Sequence, residues 1–174
     1  MSKFPHKNPA ELHRYFSQLS LDKLIEINHS YGPHFESLES RIDKCQLDLI
    51  NANRRLTQLQ MLKQTHQQNY EDVEAREAEY QSSLQSVLAD SNPIDRYIGR
   101  QAVGTSPMVA YAAESQSIMT KISDVSQLII DLTNTIAALE QKKTAAVSEL
   151  RILNRVIEEQ KRLMPEPTSS QLAL

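Results

Sequence analysis

Tryptophan is absent from this 174-residue chain, glycine occurs only 3 times, and aromatic residues make up 5%. A globular enzyme of this size ordinarily fills its core with aromatic rings and shapes its site loops with glycine. Their scarcity points to a thin, elongated core. A single cysteine, Cys45, rules out an internal disulfide and fits a reducing compartment. No stretch approaches the ~20 consecutive apolar residues that span a bilayer. Met1 to Lys7 carries basic residues with no apolar run behind them, so no secretory signal is expected. A formal charge of -3 gives neither the basic field of a nucleic-acid binder nor an acidic solvating tail. These features together predict an intracellular protein, cytoplasmic in the first instance, with the nucleus also compatible.

What is present is helix-forming. Gln, Leu, Ala, Glu and Ser are abundant, and most of them favour long helices. Residues 1–8 are polar and are expected to be disordered. Asn8-Pro9-Ala10-Glu11 reads as a helix start, with a capping Asn, Pro where its missing N–H costs nothing, and Glu at the positive end of the dipole. Leu12, Tyr15, Phe16 and Leu19 follow at helical spacing. Ser20 is a second cap, and Leu24, Ile25 and Ile27 continue an apolar face. A short helical appendage over 9–32 is predicted, closed by Tyr31-Gly32-Pro33.

From residue 34 a heptad sets in. Phe35, Ile42, Leu49 and Leu56 interleave with Leu38, Cys45, Ala52 and Leu59, and the frame reaches Tyr70, Val73, Tyr80, Leu84 and Val87. Lys63, His66 and Glu77 interrupt it, so over 60–79 the helix must pack loosely or receive polar contacts from its partner. This first arm spans 34–90. A connecting loop is expected over 91–107, from Asp90-Ser91-Asn92-Pro93 through Gly99 and Gly104, with one turn of helix from Pro93 to Ile98. Ser106-Pro107 repeats the start signal, and a second arm covers 108–164. Its seam runs Ile118, Ile122, Val125, Ile129, Leu132, Ile136 and Leu139, passes Lys143, and resumes at Ala146, Leu150, Leu153 and Ile157. Met164-Pro165-Glu166-Pro167 ends it, leaving 165–174 as a flexible tail. The fold class is therefore all-α: a long antiparallel helical hairpin of coiled-coil type with a short N-terminal helical pair. A turn centred near residue 99 would set Ile42 beside Ile157, Asp48 near Arg151 and Glu36 near Arg162.

Catalytic and metal chemistry find little footing. The five histidines form no HExxH and no i, i+4 ligand pair. Cys45 occupies a seam position, where a thiol is inert. Gly99-Arg-Gln-Ala-Val-Gly104 lacks the Lys-Ser/Thr and the preceding strand of a phosphate loop. Arg151, Arg155, Lys161 and Arg162 alternate with Glu149, Glu158 and Glu159, as a solvated helix face does. No catalytic residue, metal, cofactor, small-molecule substrate or nucleic acid is expected.

Contact with other proteins is the predicted work. Leu128, Ile130, Val147, Ile152 and Val156 lie off the second arm's seam, so that arm has more apolar surface than one partner helix covers. Tyr97, Ile98 and Met108 make the tip more apolar than a free loop needs, and Tyr15 and Phe16 give the appendage an apolar face. The sequence thus predicts a non-catalytic coiled-coil subunit or adaptor that assembles a multi-protein complex by helix packing, as a homo- or hetero-oligomer with other helical proteins. The first alternative is a peripheral membrane or trafficking protein attached through residues 1–30. The second is an enzyme with a site at the loop tip.

Overall fold

The computed structural model describes residue 4 and residues 8–163. Among these the chain is all-α, with six helices and no strand. It divides into two units, one formed by residues 1–48 and 132–174, the other by 49–131. In each unit the helices run antiparallel, hairpin fashion. The expected disordered start and flexible tail fall outside the described residues, apart from Phe4 and Asn8.

The first unit begins with α1, Pro9–Ser17, and α2, Leu21–His29. The start of α1 is the one its sequence announces. The Glu11 N–H donates to Asn8 Oδ1 at 2.9 Å, and the Asn8 N–H donates back to Glu11 Oε2 at 3.1 Å. This reciprocal capping box satisfies two otherwise orphaned donors. Ser20 caps α2 through its hydroxyl, which accepts from the Lys23 N–H at 3.4 Å.

The long helix α3, Tyr31–Gln68, starts where a stop was expected. Pro33 sits in its first turn, where no intrahelical bond is lost. Gly32 does not take the left-handed conformation that would have ended α2, since positive φ occurs only at Gly104 among the described residues. Opposite α3 runs the far end of α6, Pro107–Leu163.

The core of this unit explains what becomes of the second arm's surplus apolar surface. Leu12, Phe16, Leu24 and Tyr31 form one buried cluster with Ala146, Leu153, Val156 and Ile157. Helices α1 and α2 therefore cover α6 over residues 146–157, where α3 alone would leave it bare. Phe4 joins them edge-on to Phe16, ring centroids 5.4 Å apart. Further along, Leu38 and Ile42 bury against Leu139. Here the register departs from expectation, because Ile42 meets Leu139 while Ile157 lies in the other cluster. Lys143, the charged intruder in the α6 seam, pairs with Glu39 at 2.9 Å. That partner and the carboxylate's charge raise its pKa. No pairing of Asp48 with Arg151, or of Glu36 with Arg162, occurs.

A carboxylate lies inside this unit. Glu149 is 5% exposed. It accepts from the Tyr31 hydroxyl at 2.9 Å and from the Phe4 N–H at 3.4 Å. Burial first, and then the carboxylate's hydrogen bond and charge, push the Tyr31 phenol well above the ordinary tyrosine range.

In the second unit, α3 ends at Gln68 and α4, Tyr70–Leu88, resumes after the single residue Asn69. The frame is kept across this break: Ala52, Leu59, His66 and Val73 are all buried, while Tyr70 is exposed. The polar seam residues next to the break receive polar contacts from the returning chain. Glu77 accepts from Ser106 Oγ at 2.7 Å and from the Met108 N–H at 3.0 Å. It thereby helps cap α6, whose own cap is the Ser106 hydroxyl, 3.2 Å from the Val109 N. Hydrogen bonds from Gln81, Ser106 and Met108 hold its pKa below the usual carboxylate value.

Within the connecting segment expected over 91–107, the helical turn expected at Pro93–Ile98 extends to a full helix, α5, Pro93–Val103. The chain reverses over Ala89–Asn92, and α5 already packs back along α4. That early reversal is why the observed register differs from one built on a turn at residue 99. Gly99 belongs to α5 and marks its contact with α4. A Cβ there would stand 2.7 Å from Val87 Cγ1, so only glycine permits this approach. Gly104, at φ 76°, ends the helix.

Candidate interaction surface

The tip of the second unit is built from short-range hydrogen bonds. Asp90 Oδ1 accepts the Asn92 N–H at 2.9 Å, and Asn92 Oδ1 accepts the Ile94 N–H at 3.0 Å. The Asn92 amide donates to Asp95 Oδ2 at 2.6 Å. With Pro93 in the first turn, this starts α5 abruptly. The glycine side of α5 then rests on Val87. The apolar residues at i, i+3 and i+4 consequently point to solvent: Ile94 and Tyr97 are each 67% exposed and Ile98 is 58% exposed. An amphipathic helix normally turns such a stripe inward. Leu88, at the end of α4, is also exposed. With Pro93, Arg96, Tyr97 and Arg100 it lines an open groove of about 370 Å³.

Charge at the tip is uneven. The carboxylates of Asp90 and Asp95 are engaged by Asn92. Arg96 and Arg100, one turn apart on α5, have no ion pair among the described residues. The surface thus combines aliphatic side chains with a tyrosine ring and guanidinium groups that make no ion pair among the described residues, and Tyr and Arg are enriched at binding hot spots.

The other candidate contact residues divide into two groups. On α6, Leu128 is 46% and Ile130 53% exposed, and Met119 is exposed as well. Met108 is half-buried, its N–H held by Glu77. Val147 and Ile152 are half-buried, and Ile152 packs against the first unit's core. Phe16 and Val156 are core residues, covered by the chain's own α1, α2 and α6. Tyr15 is half-buried, its ring 5.5 Å from Phe4 and 5.7 Å from Phe16. Surface expected to meet a partner is in these cases occupied within the chain. Sequence reasoning missed Arg96, Arg100 and Met119. The turn of helix expected from Pro93 to Ile98 already contained Arg96, and extending its spacing to Val103 brings in Arg100.

One constellation invites a catalytic reading. His66 Nε2 lies 2.9 Å from Ser115 Oγ, and Nδ1 lies 3.6 Å from Glu114 Oε2. The order is that of a nucleophile, base and acid. The same groups also make packing contacts. The same Nε2 is 3.2 Å from the Tyr111 carbonyl, and the imidazole stacks on Tyr111 at 4.0 Å with a 10° interplanar angle. The distance of 3.6 Å is beyond a hydrogen bond. Ser115 sits inside α6, where backbone N–H groups are spent on the helix and none can hold an oxyanion. The adjoining cavities, about 190 and 140 Å³, fall below the ~300 Å³ at which small-molecule pockets begin. Among the described residues no group of three His, Cys, Asp or Glu side chains could hold a metal ion. None of the described helices is long and apolar enough to cross a membrane.

Comparison of the chain with protein-family models, with curated proteins and with solved structures found no match.

Proposed function

We propose that this chain is a non-catalytic subunit or adaptor of a multi-protein complex and that it joins its partners by helix packing. The observation that carries this reading is the uncovered apolar surface of the second unit: Ile94, Tyr97 and Ile98 on α5, and Met119, Leu128 and Ile130 on α6. Exposed apolar residues scattered singly need no explanation, but Ile94, Tyr97 and Ile98 share one face of α5, and such a grouped stripe is usually covered by another protein, whereas Leu128 and Ile130, two residues apart, face different sides of α6. In the first unit the chain supplies that cover itself, through α1 and α2. Among the described residues the second unit has no such appendage.

Membrane attachment through residues 1–30 draws less support. Leu12, Phe16 and Leu24, the apolar residues that would enter a bilayer, are spent in the core against α6. A catalytic tip draws less still, because Asn92 and Ser106 are spent on capping α5 and α6 and Asp90 and Asp95 on bonds to Asn92.

The test is the native mass of the tagged full-length protein in extracts of the cell that makes it. A complex well above the 19.8 kDa of one chain is expected. It should shrink in the Leu128→Glu/Ile130→Glu variant, whose fold is checked by circular dichroism. Migration of the wild-type chain as a monomer refutes the reading.

A further inference from the structure

The tip has a chemistry specific enough to name its occupant. We infer that the outer face of α5 docks an acidic amphipathic helix of a partner protein, with apolar side chains lying on Ile94, Tyr97 and Ile98 and carboxylates one turn apart paired to Arg96 and Arg100. This rests on the assembly reading above and specifies one of its surfaces.

Charge carries the assignment. The chain is net negative, at -3, yet Arg96 and Arg100 of α5 make no ion pair among the described residues. Asp90 and Asp95 turn toward Asn92, accepting from its N–H and its amide, and neither forms an ion pair with Arg96 or Arg100 among the described residues. Arg96 and Arg100 both line the groove with Leu88, Pro93 and Tyr97, and Arg100 is the more exposed of the two. A four-residue interval on a helix places both guanidinium groups along one border of the apolar stripe. The complementary surface is a helix whose apolar stripe is bordered by carboxylates at the same interval, and guanidinium groups favour such paired contacts.

The geometry also constrains the angle of approach. Gly99 seats α5 directly on Val87, so the helix cannot roll to bury its stripe without separating from α4. An anionic bilayer would call for a cluster of ~4–8 basic residues, whereas α5 has two with Asp95 beside them. A discrete protein ligand fits that count better.

The probe is a synthetic helix of about 20 residues, with leucines at 3-4 spacing and glutamates one turn apart along one border. A control peptide carries lysines in place of the glutamates. Each is titrated into the ¹⁵N-labelled full-length chain. The acidic peptide is expected to shift the amides of residues 94–101, to bind at least about tenfold more tightly than the basic one, and to weaken at high salt. Arg96→Glu/Arg100→Glu should reverse the preference, and Arg96→Gln/Arg100→Gln should abolish it. Equal binding of the two peptides, shifts confined to other helices, or tip-dependent flotation with phosphatidylserine vesicles would each overturn the proposal. If the native complex dissociates on changing Leu128 and Ile130 while the peptide leaves the tip untouched, the tip assignment alone fails. A monomeric native chain removes the assembly reading itself.

Discussion

Tyr31→Phe removes one hydroxyl and changes nothing else in shape. In the folded chain that hydroxyl donates to Glu149 at 2.9 Å, between side chains 1% and 5% exposed. A hydrogen bond to a charged group contributes roughly 1.5–3 kcal/mol, and a buried carboxylate that loses a donor bears its desolvation instead. The variant should therefore be less stable by about 1.5–3 kcal/mol. With a urea m value of about 2 kcal/mol/M, the midpoint falls by about 0.8–1.5 M at neutral pH, read by circular dichroism at 222 nm. The pH dependence gives a second readout. The folded-state pKa of the Tyr31 phenol is raised, so its contribution is complete below the unfolded value near 10 and is lost as pH climbs toward the folded one. Wild type should thus lose stability more steeply than Tyr31→Phe above about pH 10. In a Glu149→Gln background the Tyr31→Phe penalty should drop, because the amide is uncharged. A loss under about 0.5 kcal/mol, or the same loss in both backgrounds, would refute the argument that this bond matters because it meets a buried charge.

Three further outcomes follow from other contacts. Gly99→Ala gains about 0.5–1 kcal/mol of helix propensity but forces a methyl against the stiff Val87 side chain, at about 1–3 kcal/mol. Net destabilisation and faster amide exchange in α5 are expected, and a more stable variant would contradict the close approach. Glu77→Gln should speed amide exchange at Met108 near neutral pH. In wild type the same loosening should appear as pH falls through the lowered pKa of Glu77, since a depressed carboxylate stabilises above its unfolded pKa and stops doing so once protonated. Cysteines at 42 and 139 in a Cys45→Ala background should cross-link within one chain, while cysteines at 42 and 157 should not. The reverse pattern would restore the turn at residue 99.

How much of this was legible from the residues varies along the chain. The heptad was. From Phe35 through Leu59 each seam position is buried or half-buried, and the polar intruders Lys143, His66 and Glu77 each find a partner. The caps at Asn8, Ser20 and Ser106 were legible too, because a cap is a local arrangement of a few residues. Tyr31-Gly32-Pro33 misled because the same proline that cannot extend a helix is well placed in the first turn of the next. The hairpin register went astray for a related reason. Gly99 and Gly104 look alike as loop residues, yet Gly104 takes a positive φ while Gly99 is helical and makes room for Val87. Only tertiary packing separates the two, and with it the start of the returning arm. Phe16 and Val156 look like free apolar surface until α1 and α2 are seen to lie on α6. Folding of an appendage onto an arm is not written in the periodicity of either.

Site-specific photo-crosslinking in the living cell tests the central claim most directly. A photoreactive residue is placed in turn at outward positions Tyr97 and Ile130 and at inward positions Ala52 and Ala146. The account predicts that positions 97 and 130 capture other polypeptides, while 52 and 146 react only within the chain. Capture at the inward positions, or none at 97 and 130 in a correctly folded protein, would contradict it.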